Sequence, residues 1–338
     1  MSNKKTRYFV AISGAILALG LGTGLVASYM GLPVSVFSSA AGPEELQYVP
    51  ADAAVVAYAN VRDVMTSQFR QRFKSLEPSQ DSKNEFEEKT GLNLEEDVDS
   101  IVAAIMPKDG MANNPAGSFL ILARARYKAE LLEALAIQHG AQVTDYQGKH
   151  LITHHEQDAA ADSTHDDMAF GFLEADLVAF GSVASVKASI DARASNRNVV
   201  SNNDMMKLVN EIDNANAWAV GKFDAIASKA GLPTEIAAAL PSISWFSAAG
   251  HINGGISGTL KAEAKDEATA KNLRDLMGGF LALAKMQAAS KPGMQQLADS
   301  LVISGEGNTV ALAFSIPSEL LDVLESMAKS RQPGQIQH

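Results

Sequence analysis

The densest run of side chains able to do chemistry is His154-His155-Glu156-Gln157-Asp158, followed by Asp162, His165, Asp166 and Asp167. Imidazole nitrogens and carboxylate oxygens are the ligands of zinc and related divalent ions, and a bound ion can activate water for hydrolysis. His154, His155, Asp162, His165 and Asp167 are therefore the candidate metal ligands, and a metal-dependent hydrolase is one reading of the chain. Two features weigh against it. Adjacent histidines at a strand end face opposite ways, and His-x-x-x-His on a helix is absent. Ala159-Ala160-Ala161 with Ser163-Thr164 also read as a solvated acidic insertion between two hairpins. The insertion is the preferred reading, and no cofactor is assigned.

Other catalytic patterns are missing or out of place. Ser326-Met-Ala-Lys329, Ser201-Asn202-Asn203 and Lys89-Thr90-Gly91 each match a fragment of the penicillin-binding signature, but they run in the reverse order. There is no Gly-x-Ser-x-Gly, no phosphate loop ending in Gly-Lys-Ser/Thr, and no Gly-x-Gly-x-x-Gly after a strand. The chain contains no cysteine, which removes disulfides, thiolate metal sites and a thiol nucleophile. With 28 Lys and Arg against 39 Asp and Glu, the net charge of -11 excludes the basic face that nucleic-acid binding needs. No nucleotide is expected as a partner either.

The elements that must carry these residues begin with an apolar stretch. Tyr8 to Pro43 holds no charge, and Phe9–Ser28 is built of small and aliphatic residues after a single aromatic. At about 1.5 Å per residue this is enough to cross the ~30 Å hydrocarbon layer. Lys4, Lys5 and Arg7 precede it, and the first basic residue after it is Arg62. The positive-inside bias puts residues 1–7 in the cytoplasm and the bulk of the chain outside the inner membrane. A cleaved signal peptide would have a shorter apolar core and a nearer small-residue site than Ser38-Ser39-Ala40, so an uncleaved anchor over 8–30 is preferred. Gly20, Gly24 and Ser28 fall at i, i+4 and i+8, a spacing that admits a second membrane helix; ordinary membrane-helix glycine content is the plainer account. Residues 31–47, with Pro33, Gly42 and Pro43, read as a tether.

Beyond the tether the pattern alternates strands and helices. Ala53–Asn60 reads as a buried strand, with Asn60 capping a helix over Val61–Leu76. Strands follow at Ile101–Met106 and Ser118–Arg126, then a helix over Lys128–His139 ended by Gly140. Hairpins at 143–154 and 168–180 lead to a helix over Ser182–Ala194. The order then restarts: a strand over Ala215–Phe223, two strands across Gly254-Gly255, a long helix capped by Asp266, a hairpin at 301–316 and a last helix over Pro317–Ser330. The sequence thus predicts an α+β protein: an N-terminal transmembrane helix, then two similar lobes of mostly antiparallel sheet with helices packed on one face. The lobes span 48–195 and 213–330, joined by a connector over 196–212 and followed by a flexible tail over 331–338. Trp218, Trp245, Met205 and Met206 are read as core residues. Arg124 and Arg126 are read as partners of nearby acids.

Two short motifs carry a resemblance. The entry Tyr48-Val-Pro-Ala-Asp-Ala-Ala-Val-Val-Ala-Tyr-Ala-Asn60 and the segment Thr90-Gly91-Leu92-Asn93 resemble an uncharacterised family of bacterial membrane-anchored exported proteins. The resemblance implies an envelope location and a similar architecture. It implies no activity and no catalytic residue. The expectation is therefore a single-pass, periplasm-facing, non-enzymatic binding or scaffold protein. Its partners would be the bilayer, through 8–30, and an envelope or membrane protein. A carrier of an apolar ligand is the further alternative.

Overall fold

The computed structural model describes residues 42–67, 87–93, 95–107, 118–154, 168–212, 215–227, 243–253, 255–289 and 292–317. A 3-10 turn at Glu44–Tyr48 leads into strand β1 (Val55–Asn60) and helix α1 (Val61–Thr66), followed by β2 (Val98–Met106) and β3 (Ser118–Ala125). Next come α2 (Ala129–Gln138), the hairpin β4 (Gln142–Tyr146) and β5 (Lys149–His154), the hairpin β6 (Met168–Phe172) and β7 (Leu177–Ser182), and α3 (Val183–Ser195). A 3-10 turn (Val199–Ser201) and α4 (Asn203–Asn210) lead to β8 (Ala217–Lys222), α5 (Asp224–Ala227), β9 (Ile243–Asn253) and β10 (Gly255–Ala264). The described chain closes with α6 (Glu267–Ala288), α7 (Pro292–Asp299), β11 (Val302–Ser304) and β12 (Thr309–Ile316).

These strands form one continuous 12-stranded sheet in the order β11-β12-β10-β9-β8-β1-β2-β3-β7-β6-β5-β4. Every named pairing is antiparallel. This corrects the expectation of two lobes. The first strands of the two halves, β1 and β8, pair side by side over Val55↔Gly221 to Ala59↔Ala217, so the sheet runs unbroken across the middle. Outward from that junction the order is β8-β9-β10-β12-β11 on one side. On the other it is β1-β2-β3-β5-β4 with the β7-β6 hairpin inserted between β3 and β5. The junction is tight: a Cβ on Gly221 would lie 2.4 Å from the Ala54 carbonyl oxygen.

The expectation of helices on one face is also corrected. Strand alternation sorts the side chains. Directly paired Trp218, Tyr58, Val102, Leu122 and Ala179 share one face. That face is covered by the Glu44–Tyr48 turn, α3 and α4, through Leu46, Val186, Ile190, Met205 and Val209 in a single buried cluster. Gly171 leaves room for this packing, since a Cβ there would meet Val186 Cγ1 at 3.0 Å. Ile101, Ile121, Ala123, Val178 and Phe180 face the other way and pack with Val61 and Met65 of α1. Val310 and Ala262 belong to that second face, and there Ala270, Leu273 and Met277 of α6 pack against Val310 and Ala264. Each face thus has its own helices, because a sheet this wide exposes two apolar surfaces.

Local signals set the helix starts. The Asn60 side chain accepts from Asp63 N at 3.0 Å, Ser182 Oγ from Ser185 N at 3.1 Å, and Asp266 from Thr269 N at 2.7 Å. Among the described residues no helix is long and apolar enough to cross a membrane. The transmembrane helix expected over 8–30, with Gly20, Gly24 and Ser28, lies outside the described residues.

Candidate functional site

The described residues that combine charge, burial and convergence meet where the Glu44–Tyr48 turn seats on the sheet. Pro43 is extended, and the turn is held by Leu46 N donating to Pro43 O and Val49 N donating to Leu46 O, both at 3.1 Å. This geometry points Leu46 (0% exposed) and Glu45 (4% exposed) into the protein together. Leu46 satisfies the apolar face. Glu45 requires polar partners, because an unpaired buried carboxylate is costly.

Those partners come from the central strands. Arg124 Nε donates to Glu45 Oε1 at 2.7 Å, and Ser100 Oγ donates to the same oxygen at 2.9 Å. Ser100 and Arg124 are direct neighbours across β2 and β3, which puts both on the turn's face. Arg124 Nη1 donates to Asp176 Oδ2 at 2.8 Å and lies 3.6 Å from Glu174 Oε2. Both acids stand between β6 and β7. Tyr48 OH donates to Glu174 Oε1 at 2.9 Å, and Tyr127 OH donates to the Glu174 carbonyl at 2.6 Å.

The electrostatics follow from this crowding of acids. Burial acts to lower the Arg124 pKa, but its hydrogen bonds to Glu45 and Asp176 outweigh it and raise the value overall. Burial, then Glu45 and Asp63, pushes the Tyr58 phenol up to about 12. Burial, then Asp176 and Glu174, pushes Tyr127 up to about 12 as well. Tyr48 is raised by burial and by its bond to Glu174. These phenols stay protonated, and those of Tyr48 and Tyr127 act as donors. Chemically the cluster joins one guanidinium to three carboxylates, with the Ser100 hydroxyl bonded to the buried one. These bonds fasten the Glu44–Tyr48 turn to β2 and β3.

The residues singled out in the sequence are distributed differently. The backbone of His154 ends β5 opposite Met168. The His154 side chain, His155, Asp162, His165 and Asp167 lie outside the described residues. Among the described residues no group of three or more histidines and carboxylates is placed to hold a metal ion. Arg124 and Arg126 do pair with acids, Arg126 with Asp99 at 3.2 Å and Asp97 at 3.4 Å. Trp218 is buried and stacks on Tyr58 at 5.7 Å, and Met205 and Met206 are buried.

Sequence reasoning missed Glu45, which it left in the tether. The available signal was the run Glu45-Leu46-Gln47-Tyr48-Val49, where apolar residues alternate with polar ones just before the first strand.

No family model matches the chain, and no curated protein matches it. Among solved structures, two crystal forms of TP0453 are similar to it. Crystal form I has a TM-score of 0.44 at 11% identity, covering 85% of this chain and 98% of that one. Crystal form IV has a TM-score of 0.44 at 11% identity, covering 82% and 95%.

Proposed function

We propose that this is a non-enzymatic binding or scaffold protein of the cell envelope. Its uncharged N-terminal stretch attaches it to the inner membrane, and its sheet faces the periplasm. The observation that carries the reading is the seating of Glu45. Within the last residues of the stretch read as a tether, the chain is bonded through a buried carboxylate to the neighbouring strands β2 and β3 near the middle of the sheet. A tether pulling on residue 42 therefore acts on the middle of the sheet rather than on a loose end. Such a mount suits a platform that must hold partners at a fixed place relative to a membrane. Further support comes from the cluster's ion pairs, in which Arg124 joins Glu45, Glu174 and Asp176.

The test is to purify the full-length protein from its own membranes in mild detergent and identify what stays bound by mass spectrometry. A stoichiometric envelope partner is the expected result. A protein found outside the membrane fraction, or one that is monomeric, partnerless and hydrolytic with bound metal, overturns the reading.

A further inference from the structure

We draw no further inference here: the strongest candidate, the exposed apolar side of helix α6 at Phe280, Leu283 and Met286, carries nothing because nothing in the structure shows what covers it.

Discussion

Glu45 and Arg124, 79 residues apart in the chain, meet at 2.7 Å beneath the Glu44–Tyr48 turn. Glu45 is almost wholly buried, and Arg124 keeps a second bond to Asp176. Removing one partner of a buried pair costs about 3–5 kcal/mol in fully buried cases. Because Arg124 is 21% exposed and retains Asp176, Glu45→Ala is expected to destabilise by about 2–3 kcal/mol. Chemical denaturation of Glu45→Ala, Arg124→Ala and the double variant measures this. The two effects are expected to be strongly non-additive, and additive effects would place the residues in independent roles.

Leu46 is the apolar half of the same anchor. It is 0% exposed, and Gly42, at φ +70°, packs so closely that a Cβ there would lie 2.8 Å from Leu46 Cδ1. Leu46→Ala should cost about 2–5 kcal/mol by denaturant unfolding. A loss under 0.5 kcal/mol would mean that the turn rests on the surface.

The β1–β8 junction predicts that the two halves unfold together. Gly221→Ala forces a Cβ against the Ala54 carbonyl and Val55 Cα, at 2.4 and 2.7 Å. The variant should lower the unfolding midpoint of the whole protein in a single transition, followed by fluorescence of Trp218 beside the junction and by circular dichroism. Two separated transitions in the parent protein would show that the halves are independent.

The buried phenols predict alkaline behaviour. Tyr58 and Tyr127 ionise at about 12 when folded, against about 10 when unfolded. A raised folded pKa contributes stability that is complete below pH 10 and lost as pH rises from 10 to 12. Ultraviolet tyrosinate titration should show a late-ionising fraction, and Tyr58→Phe and Tyr127→Phe should each shrink it. Titration of every tyrosine near pH 10 in the folded protein would contradict the burial.

Two exposed groups give opposite signs in acid. Hydrogen bonding to Glu133 raises the His150 pKa, so its contribution is present below about 6.5 and fades as pH rises through the folded value. The Asp266 carboxylate is lowered by its bond to Thr269 N, so the α6 cap is intact above about 3.9 and weakens as pH falls through the folded value. Nuclear magnetic resonance titration of His150→Asn and Asp266→Asn against the parent tests both signs.

Much of the local structure was legible because its causes are local. Asn60, Asn93, Ser182 and Asp266 sit beside the amides they cap, and Gly140 takes φ +88° where α2 ends. The arrangement of the elements was less legible. Repetition of element order suggested two lobes, yet the edge of β1 that each lobe would leave open is paired with β8. Nothing in either strand's composition distinguishes a partner within its own half from one in the other. The β6–β7 hairpin inserts between β3 and β5, a placement set by long-range pairing such as Leu122↔Ala179. The apolar residues of α6 from Leu273 to Ala284 are spread over half the helix surface, and period alone does not say that Leu273 and Met277 face in while Phe280 and Leu283 face out. Glu45 was hidden for a similar reason: a glutamate after a proline-rich stretch looks solvated until its partner, far along the chain, is known.

The most direct test of the account is hydrogen exchange of the full-length protein, read by mass spectrometry over residues 44–50 and over β1. If residues 44–50 are built onto the sheet, the amides of Leu46 and Val49 exchange as slowly as those of Val55–Asn60. Exchange of 44–50 at the rate of an unstructured peptide, with β1 still protected, would show that the tether ends at a loose joint and that the sheet is not held at its centre.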